Sequence, residues 1–462
     1  MSAMPTCRPV SRLSRREMLR AATAAAGSFL IPVTGCGGGS EVKQVQSTSA
    51  WPPDLPVGTF TPSVADEAFL DALEQQGCLF FWEQANPANG QVLDHAANNL
   101  GGALDSSTTQ SSVAATGFGL TALCIADQRG YLPHAPIVDR VQTTLKFYLN
   151  FMPEENGFFY HFNDLNTGEP LSGSEVSSID TSILLCGVLT ARAYFGDATI
   201  EDLATQLYER VNWPWMLNSG ATFAQAWYPG IGFAPARYDT YCELMMLYLL
   251  AIGSPTYPIA PSYWDNFARP LLTYAGYTYI SGNSDPLSTH QYSHAWFDFR
   301  EKSDAYGNYF NNSISATQAH ESFCLAYPSV DAAWYNENYW GITSSDYVGG
   351  YTAWGGPPAQ GPIDGTVVPC AAAGSLVFLP NECLSMLEDL KLNWGSQAWG
   401  RYGFVDAFHP ASNWYCTEVL GIDQGISVLM AENLRTGFVW NTFMNNPECA
   451  QAMQLAGFRA RT

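Results

Sequence analysis

Basic side chains are scarce in this chain: 20 Lys and Arg stand against 42 Asp and Glu, for a formal net charge of −22. A nucleic-acid partner is therefore excluded, because no basic stripe is present to neutralise phosphates. No run of about 20 apolar residues occurs, so no helix of this sequence spans a bilayer. Histidine is limited to seven residues, and neither HExxH nor CxxC is found, which leaves no metal site to expect. Glycine-rich phosphate loops and serine-nucleophile elbows are missing too. Gly117-Phe118-Gly119-Leu120 lacks a third glycine and a preceding strand, so no cofactor is implied.

What is abundant is aromatic: 14 Trp, 24 Tyr and 25 Phe, in a chain of 462 residues that is 47% hydrophobic and 13% charged. Such a composition buries a large core and is the opposite of a disordered chain. Few charges with many indoles and phenols suit a surface that holds neutral polar ligands, sugars above all.

The first residues read as an address. Ser14-Arg15-Arg16-Glu17-Met18-Leu19-Arg20 has the form of a twin-arginine export signal, followed by the weakly apolar Ala21 to Ile31. Val33-Thr34-Gly35-Cys36 then resembles a lipoprotein processing box with Cys36 as the lipidated residue, and Gly37-Gly38-Gly39-Ser40 opens a flexible tether. The expected organisation is a signal peptide over 1–35, a tether and Pro-rich segment over 36–62, and one domain over 63–462. The expected location is periplasmic or outer-membrane, held only by the lipid on Cys36, as a monomer. Of the 11 cysteines, Cys7 leaves with the leader and Cys36 takes lipid; Cys124, Cys186 and Cys242 are expected in apolar helical runs as small hydrophobes.

Apolar spacing of three and four predicts about twelve helices. They are Ser63–Glu83, Ser111–Gly130, Ala135–Phe151, Ser177–Phe195, Thr199–Val211, Tyr238–Ile252, Tyr263–Ala275, Asn312–Ala326, Thr366–Phe378, Asn381–Leu392, Ile422–Leu434 and one near Trp440. Segments apolar on every side, such as Ser112 to Leu120, alternate with segments bearing a charged face, such as Ala65 to Glu83. That alternation is what a double ring of six inner and six outer helices requires. The fold class expected is all-α, an (α/α)6 toroid with long aromatic-rich loops.

Several segments serve as signatures: Ser177-Ser178-Ile179-Asp180-Thr181, Tyr241-Cys242-Glu243, Tyr292-Ser293-His294-Ala295-Trp296-Phe297-Asp298-Phe299-Arg300, Trp340 to Asp346, Asp364-Gly365-Thr366, Tyr402 to Phe408, Ile422-Asp423-Gln424-Gly425 and Glu432 to Gly437. In order and spacing the chain resembles the glycoamylase-like family of bacterial glycoside hydrolases from Asp66 to Met444. The resemblance implies the (α/α)6 toroid and action on β-glucans, with β-1,2-glucan the substrate of the family's best-known endo-acting members. Cys242 departs from the family, which more often has Asn there, and this bears on subsite preference.

Glycosidic hydrolysis needs one protonated carboxyl to donate to the leaving oxygen and one carboxylate to activate water. Glu243, opening an apolar helix, is the candidate acid. Its alternative role is a first-turn Glu stabilised by the helix dipole. Asp406, among aromatics in a loop, is the candidate base, and Asp423 is its rival; turn formation and N-capping are their structural alternatives. Glu432 lies nine positions after Asp423, half a turn out of phase, and three before Arg435; both Glu432 and Arg435 are read as a structural pair.

Asp180 is expected to bind sugar hydroxyls or to N-cap its helix. Tyr292, His294, Trp296, Asp298 and Arg300 occupy alternate positions, so an extended stretch would present all five on one sugar-binding face. Trp340, Asp346, Tyr351 and Trp354 are candidates for neighbouring subsites. The expected activity is inverting hydrolysis of a glucan or oligosaccharide. The competing accounts are a toroid-fold lyase, epimerase or phosphorylase, and a non-catalytic sugar-binding lipoprotein.

Overall fold

A computed structural model describes residues 60–282, 286–327, 335–355 and 363–460. The leader, the Cys36 lipidation site and nearly all of the tether lie outside the described residues. The helices that build the frame are α1 (Val64–Glu83), α2 (Val113–Arg129), α3 (His134–Asn150), α4 (Ser178–Phe195), α5 (Ala198–Glu209), α6 (Met245–Gly253), α7 (Tyr292–Trp296), α8 (Tyr309–Ala326), α9 (Pro369–Ala373), α10 (Pro380–Trp394), α11 (Gly421–Arg435), α12 (Phe438–Phe443) and α13 (Pro447–Leu455). None of them is long and apolar enough to cross a membrane.

Local chemistry explains where these helices begin and end. Ser63 and Asp66 form a reciprocal capping box at the start of α1. Ser112, Ser177 and Asp197 cap α2, α4 and α5 through their side chains, and Gly130 and Gly196 end α2 and α4 in the left-handed conformation.

Burial then sorts the helices into two rings. Inside, α11 packs on α2, α2 on α4, and α4 on α6. The Ser293 hydroxyl links α6 to α7 by donating to Glu243 O and accepting from Met246 N. Gln291, beside α7, donates to Ala371 O of α9, and α9 packs on α11 to close the circle. Outside, α1 covers α11 and α2, α5 covers α4, α8 lies on the α7 region, α10 covers α9, and α13 covers α6. The expected (α/α)6 toroid is therefore present. Its inner helices are buried on nearly every side, and α2 and α4 are apolar all round as the sequence indicated.

The α2–α4 crossing is the tightest in the ring. A Cβ added at Gly187 would lie 2.0 Å from Gly117 O, and one at Gly117 would lie 2.5 Å from Ile183 O. The backbones themselves are in contact, which only glycine permits.

One end of the toroid is laced by short strands that lead into the inner helices. Glu418–Leu420, before α11, pairs with His95–Ala97; Gln110–Ser112, before α2, pairs with Phe162–Asp164; Val176–Ser177, before α4, pairs with Ala226–Tyr228. The opposite end is closed by α12, which touches α2, α4, α7 and α11.

Three expected helices differ from those found. Tyr263–Ala275 is a 3-10 turn (Pro261–Asp265) followed by a hairpin, Leu271–Tyr274 with Tyr277–Ile280. Ala275 and Gly276, both at positive φ, make its two-residue turn, and Pro270 cannot donate a helical bond. Tyr238–Ile252 is helical only from Met245, and Thr366–Phe378 only over Pro369–Ala373.

Glu432 and Arg435 are structural but are not each other's partners. Arg129 Nη2 lies 2.7 Å from Glu432 Oε2, while Arg435 holds Glu67, Asp71 and Glu74 of α1. Glu74 is fully buried, and burial, reinforced by the neighbouring Glu432, holds its carboxyl well above the ordinary 4.5. Folding thus favours its neutral form, and this contribution is complete at low pH and is lost as pH rises through the folded titration. Thermal unfolding followed across that range should show a decline above pH 4.5 that Glu74→Gln flattens. An equal decline in both proteins would show that the pair is not its source.

All nine described cysteines are free thiols, and eight of them are buried. Cys242 is the half-buried exception, next to Glu243 in the turn before α6 rather than in a helix.

Candidate active site

The candidate acids gather at the laced end because each precedes or opens an inner helix. Glu243 lies half-buried in the turn before α6, with its backbone carbonyl fixed by the Ser293 hydroxyl at 2.7 Å. Asp423 sits in the first turn of α11, 4% exposed. Round the inner ring the order is α11, α2, α4, α6, α7, α9. The starts of α6 and α11 therefore lie on opposite sides of the ring, three steps apart in either direction.

Asp406 stands beside Asp423. It lies between the short strands Gly403–Phe404 and Phe408–His409, and its N–H donates to Glu418 O at 3.0 Å, tying it to the strand that opens α11. It is 2% exposed. Its Oδ2 accepts from Asp346 N at 2.6 Å, while its carboxyl bonds that of Asp423. Two carboxylates cannot bond each other without a proton between them. Burial, then the charges of Asp423 and Asp346, push the Asp406 carboxyl well above 3.8. The loss of the Asp406 proton is thus coupled to Asp423, and the titration belongs to both residues.

Asp346 comes from a hairpin, Ser345–Tyr347 with Gly350–Thr352, in which it faces Tyr351. Trp354, at the base of that hairpin, donates from Nε1 to Ser345 Oγ at 3.0 Å. Ligand atoms of Asp346, Asp406 and Cys416 lie within 4.8 Å of one another. These atoms are already engaged: the Cys416 thiol lies 3.3 Å from Asp346 Oδ2, and Asp406 bonds Asp346 N and Asp423. A proton fits this set better than a metal ion.

Asp180 occupies the first turn of α4, between the other two stations. It does not cap the helix; Ser177 does, accepting from Asp180 N, while Ser177 Oγ donates to Asp180 Oδ2 at 2.5 Å. His161, absent from the sequence-based candidates, lies with Nε2 3.6 Å from Asp180 Oδ1 and Nδ1 3.3 Å from Glu175 Oε1. It lies in the bend between Phe158–Phe159 and Phe162–Asp164, held by its N–H donating to Glu175 O at 2.8 Å, and no local motif announces it.

The alternating stretch from Tyr292 is not extended. Tyr292–Trp296 is helix α7, so side chains at steps of two diverge. Tyr292 and Trp296, four apart, share a face and pack on Phe118 of α2 with ring centroids at 5.5 and 4.9 Å. A Cβ at Gly425 would lie 2.2 Å from Phe118, so that glycine makes room for the plug. Trp296 is wholly buried and donates to Thr121, and His294 is buried against Ser313, so neither can face a sugar. Asp298 and Arg300 pair with each other at the closed end, where Arg300 lies 4.0 Å over Trp440 of α12. Trp340 is likewise wholly buried and offers no platform. Tyr292 is buried as well, at 6% exposure, in its edge-on contact with Phe118.

Residues 235–447 match the Glycoamylase family model, "Putative glucoamylase". An exo beta-1,2-glucooligosaccharide sophorohydrolase (non-reducing end) of Parabacteroides distasonis is 28% identical over 438 residues, covering 86% of this chain and 59% of the relative. The chain thus spans somewhat under two thirds of that relative's length. Among solved structures, a beta-1,2-glucanase from Parabacteroides distasonis superposes with a TM-score of 0.77 at 26% identity, over 86% of this chain and 60% of the other. An endo-beta-1,2-glucanase from Chitinophaga pinensis, solved with sophorotriose and glucose, gives a TM-score of 0.77 at 24% identity, over 86% of this chain and 99% of the other, and shares the fold. The stretch that matches the family model carries Glu243, Asp406 and Asp423, and over that stretch the chain is similar to the glycoamylase-like family.

Proposed function

We propose that the chain hydrolyses β-glucans, with β-1,2-linked gluco-oligosaccharides as its substrate class. The observation that carries this reading is the buried, coupled Asp406–Asp423 pair at the start of α11, on the opposite side of the ring from Glu243 at the start of α6. Glu243 protonates the glycosidic oxygen of the leaving sugar. The ionised member of the pair accepts a proton from water as it attacks the anomeric carbon from the other face, which inverts the configuration. A base drawn from a pair with a raised titration is stronger than an isolated carboxylate and stays matched to near-neutral work. Asp180, Asp346 and Tyr351 surround the path of the sugar chain and bind its hydroxyls and ring faces.

The identity of the Parabacteroides sophorohydrolase favours the β-1,2 linkage over the starch linkage suggested by the family's name. Purified protein incubated with linear β-1,2-, β-1,3- and α-1,4-glucans should release short oligosaccharides from the first, with the newly formed anomer inverted by proton NMR. Release from the α-1,4-glucan alone would overturn the linkage, and binding without release would leave a sugar receptor.

A further inference from the structure

Cys416 is buried beside the carboxyl pair, immediately after the strand Trp414–Tyr415. It makes three contacts. Its N–H donates to Ala407 O at 2.8 Å, its thiol lies 3.3 Å from Asp346 Oδ2, and its sulfur accepts from Glu418 N at 3.5 Å. Both anchors of Asp406 are therefore in contact with this residue. Asp346 donates its N–H to Asp406 Oδ2, and Glu418 accepts the Asp406 N–H.

The titratable groups that act on the thiol are Asp406, Asp346 and Glu418; those that act on Asp406 are Asp423 and Asp346. All are acids. In such a set the thiol must act as a hydrogen-bond donor, and burial together with Asp406 and Asp346 pushes its titration up, so it stays protonated.

Resting on the hydrolase reading above, we infer that Cys416 is a positioning residue: its S–H holds the Asp346 carboxylate in place beside Asp406 and so fixes the charge that Asp406 faces. The thiol neither attacks the sugar nor binds it. If the S–H is removed, Asp346 turns away or takes a proton itself. Either way Asp406 loses an anionic neighbour and gives up its proton at lower pH.

The test compares the parent with Cys416→Ser, which keeps a donor, and with Cys416→Ala and Cys416→Val, which do not; valine retains the volume if alanine fails to fold. In protein labelled with ¹³C at the aspartate carboxyls, the Asp406 signal is assigned by its disappearance in Asp406→Asn. Its titration should move to lower pH in the alanine or valine variant and return with serine. The rate on linear β-1,2-glucan, as kcat/KM, should fall about tenfold in the variants without a donor, one decade being ~1.4 kcal/mol. The acid limb of the pH profile should move with the carbon signal, and serine should recover both. An Asp406 titration that is the same in all four proteins would overturn the proposal, as would serine behaving like alanine. A parent that cleaves no β-glucan would refute the hydrolase reading, and the carbon titration would still decide the role of Cys416.

Discussion

Replacing Glu243 by glutamine should reduce kcat on linear β-1,2-glucan by about 10²–10⁴-fold, the range attached to a lost general acid. The substitution keeps size and polarity and removes only the proton that the leaving oxygen needs, so KM should change little. Glu243 is half-buried in a turn whose anchor is the backbone carbonyl at Ser293, and that bond is untouched by the side-chain change. The thermal midpoint should therefore match the parent. A substrate with a good leaving group, such as an aryl glycoside, should lose much less, because departure then needs little protonation. A variant as active as the parent on glucan would remove Glu243 from the chemistry.

The second large effect concerns stability. Gly187→Ala places a methyl 2.0 Å from Gly117 O on the facing helix, against backbone rather than a side chain that could swing aside. Relief requires α2 and α4 to separate along their length. The cost is about 3 kcal/mol, at the upper end for overpacking, and a large part of the roughly 5–15 kcal/mol that holds an ordinary domain together. Denaturant unfolding should show a lower midpoint with an unchanged slope, and activity of the surviving folded fraction should be near normal. An unchanged midpoint would mean that the two helices can part without cost.

The double ring was legible in the sequence because inner and outer helices differ in kind: α2 and α4 are apolar all round, whereas α5 shows one apolar face. The start of α6 differs because Tyr238, Tyr241, Cys242 and Met245 keep the three-and-four apolar spacing of a helix, although residues 238–244 do not form one. Among the candidate site residues, the placement of Asp180, Glu243 and Asp423 at or just before the starts of inner helices could be read from motif and position. Trp296, His294 and Trp340 could not be rejected in the same way, since an indole buried in a core and an indole lining a groove have the same letter. The alternation at Tyr292–Arg300 was compatible with an extended strand, and only the packing of Phe118 into the space left by Gly425 shows that the segment is a helical plug. His161 and Cys416 acquire their roles from neighbours far along the chain, Asp180 and Asp346, and pairings of that kind leave no local pattern.

The cover of α6 by α13 has a consequence for biosynthesis. Met245–Ile252 is buried throughout, yet the segment that shields it, Pro447–Leu455, lies far further along the chain and leaves the ribosome long after it. Until then a nascent chain carries a greasy, unshielded flank, the kind of surface that chaperones hold and proteases find. Loss of Pro447–Leu455 should therefore be as damaging as a break in the middle of the ring.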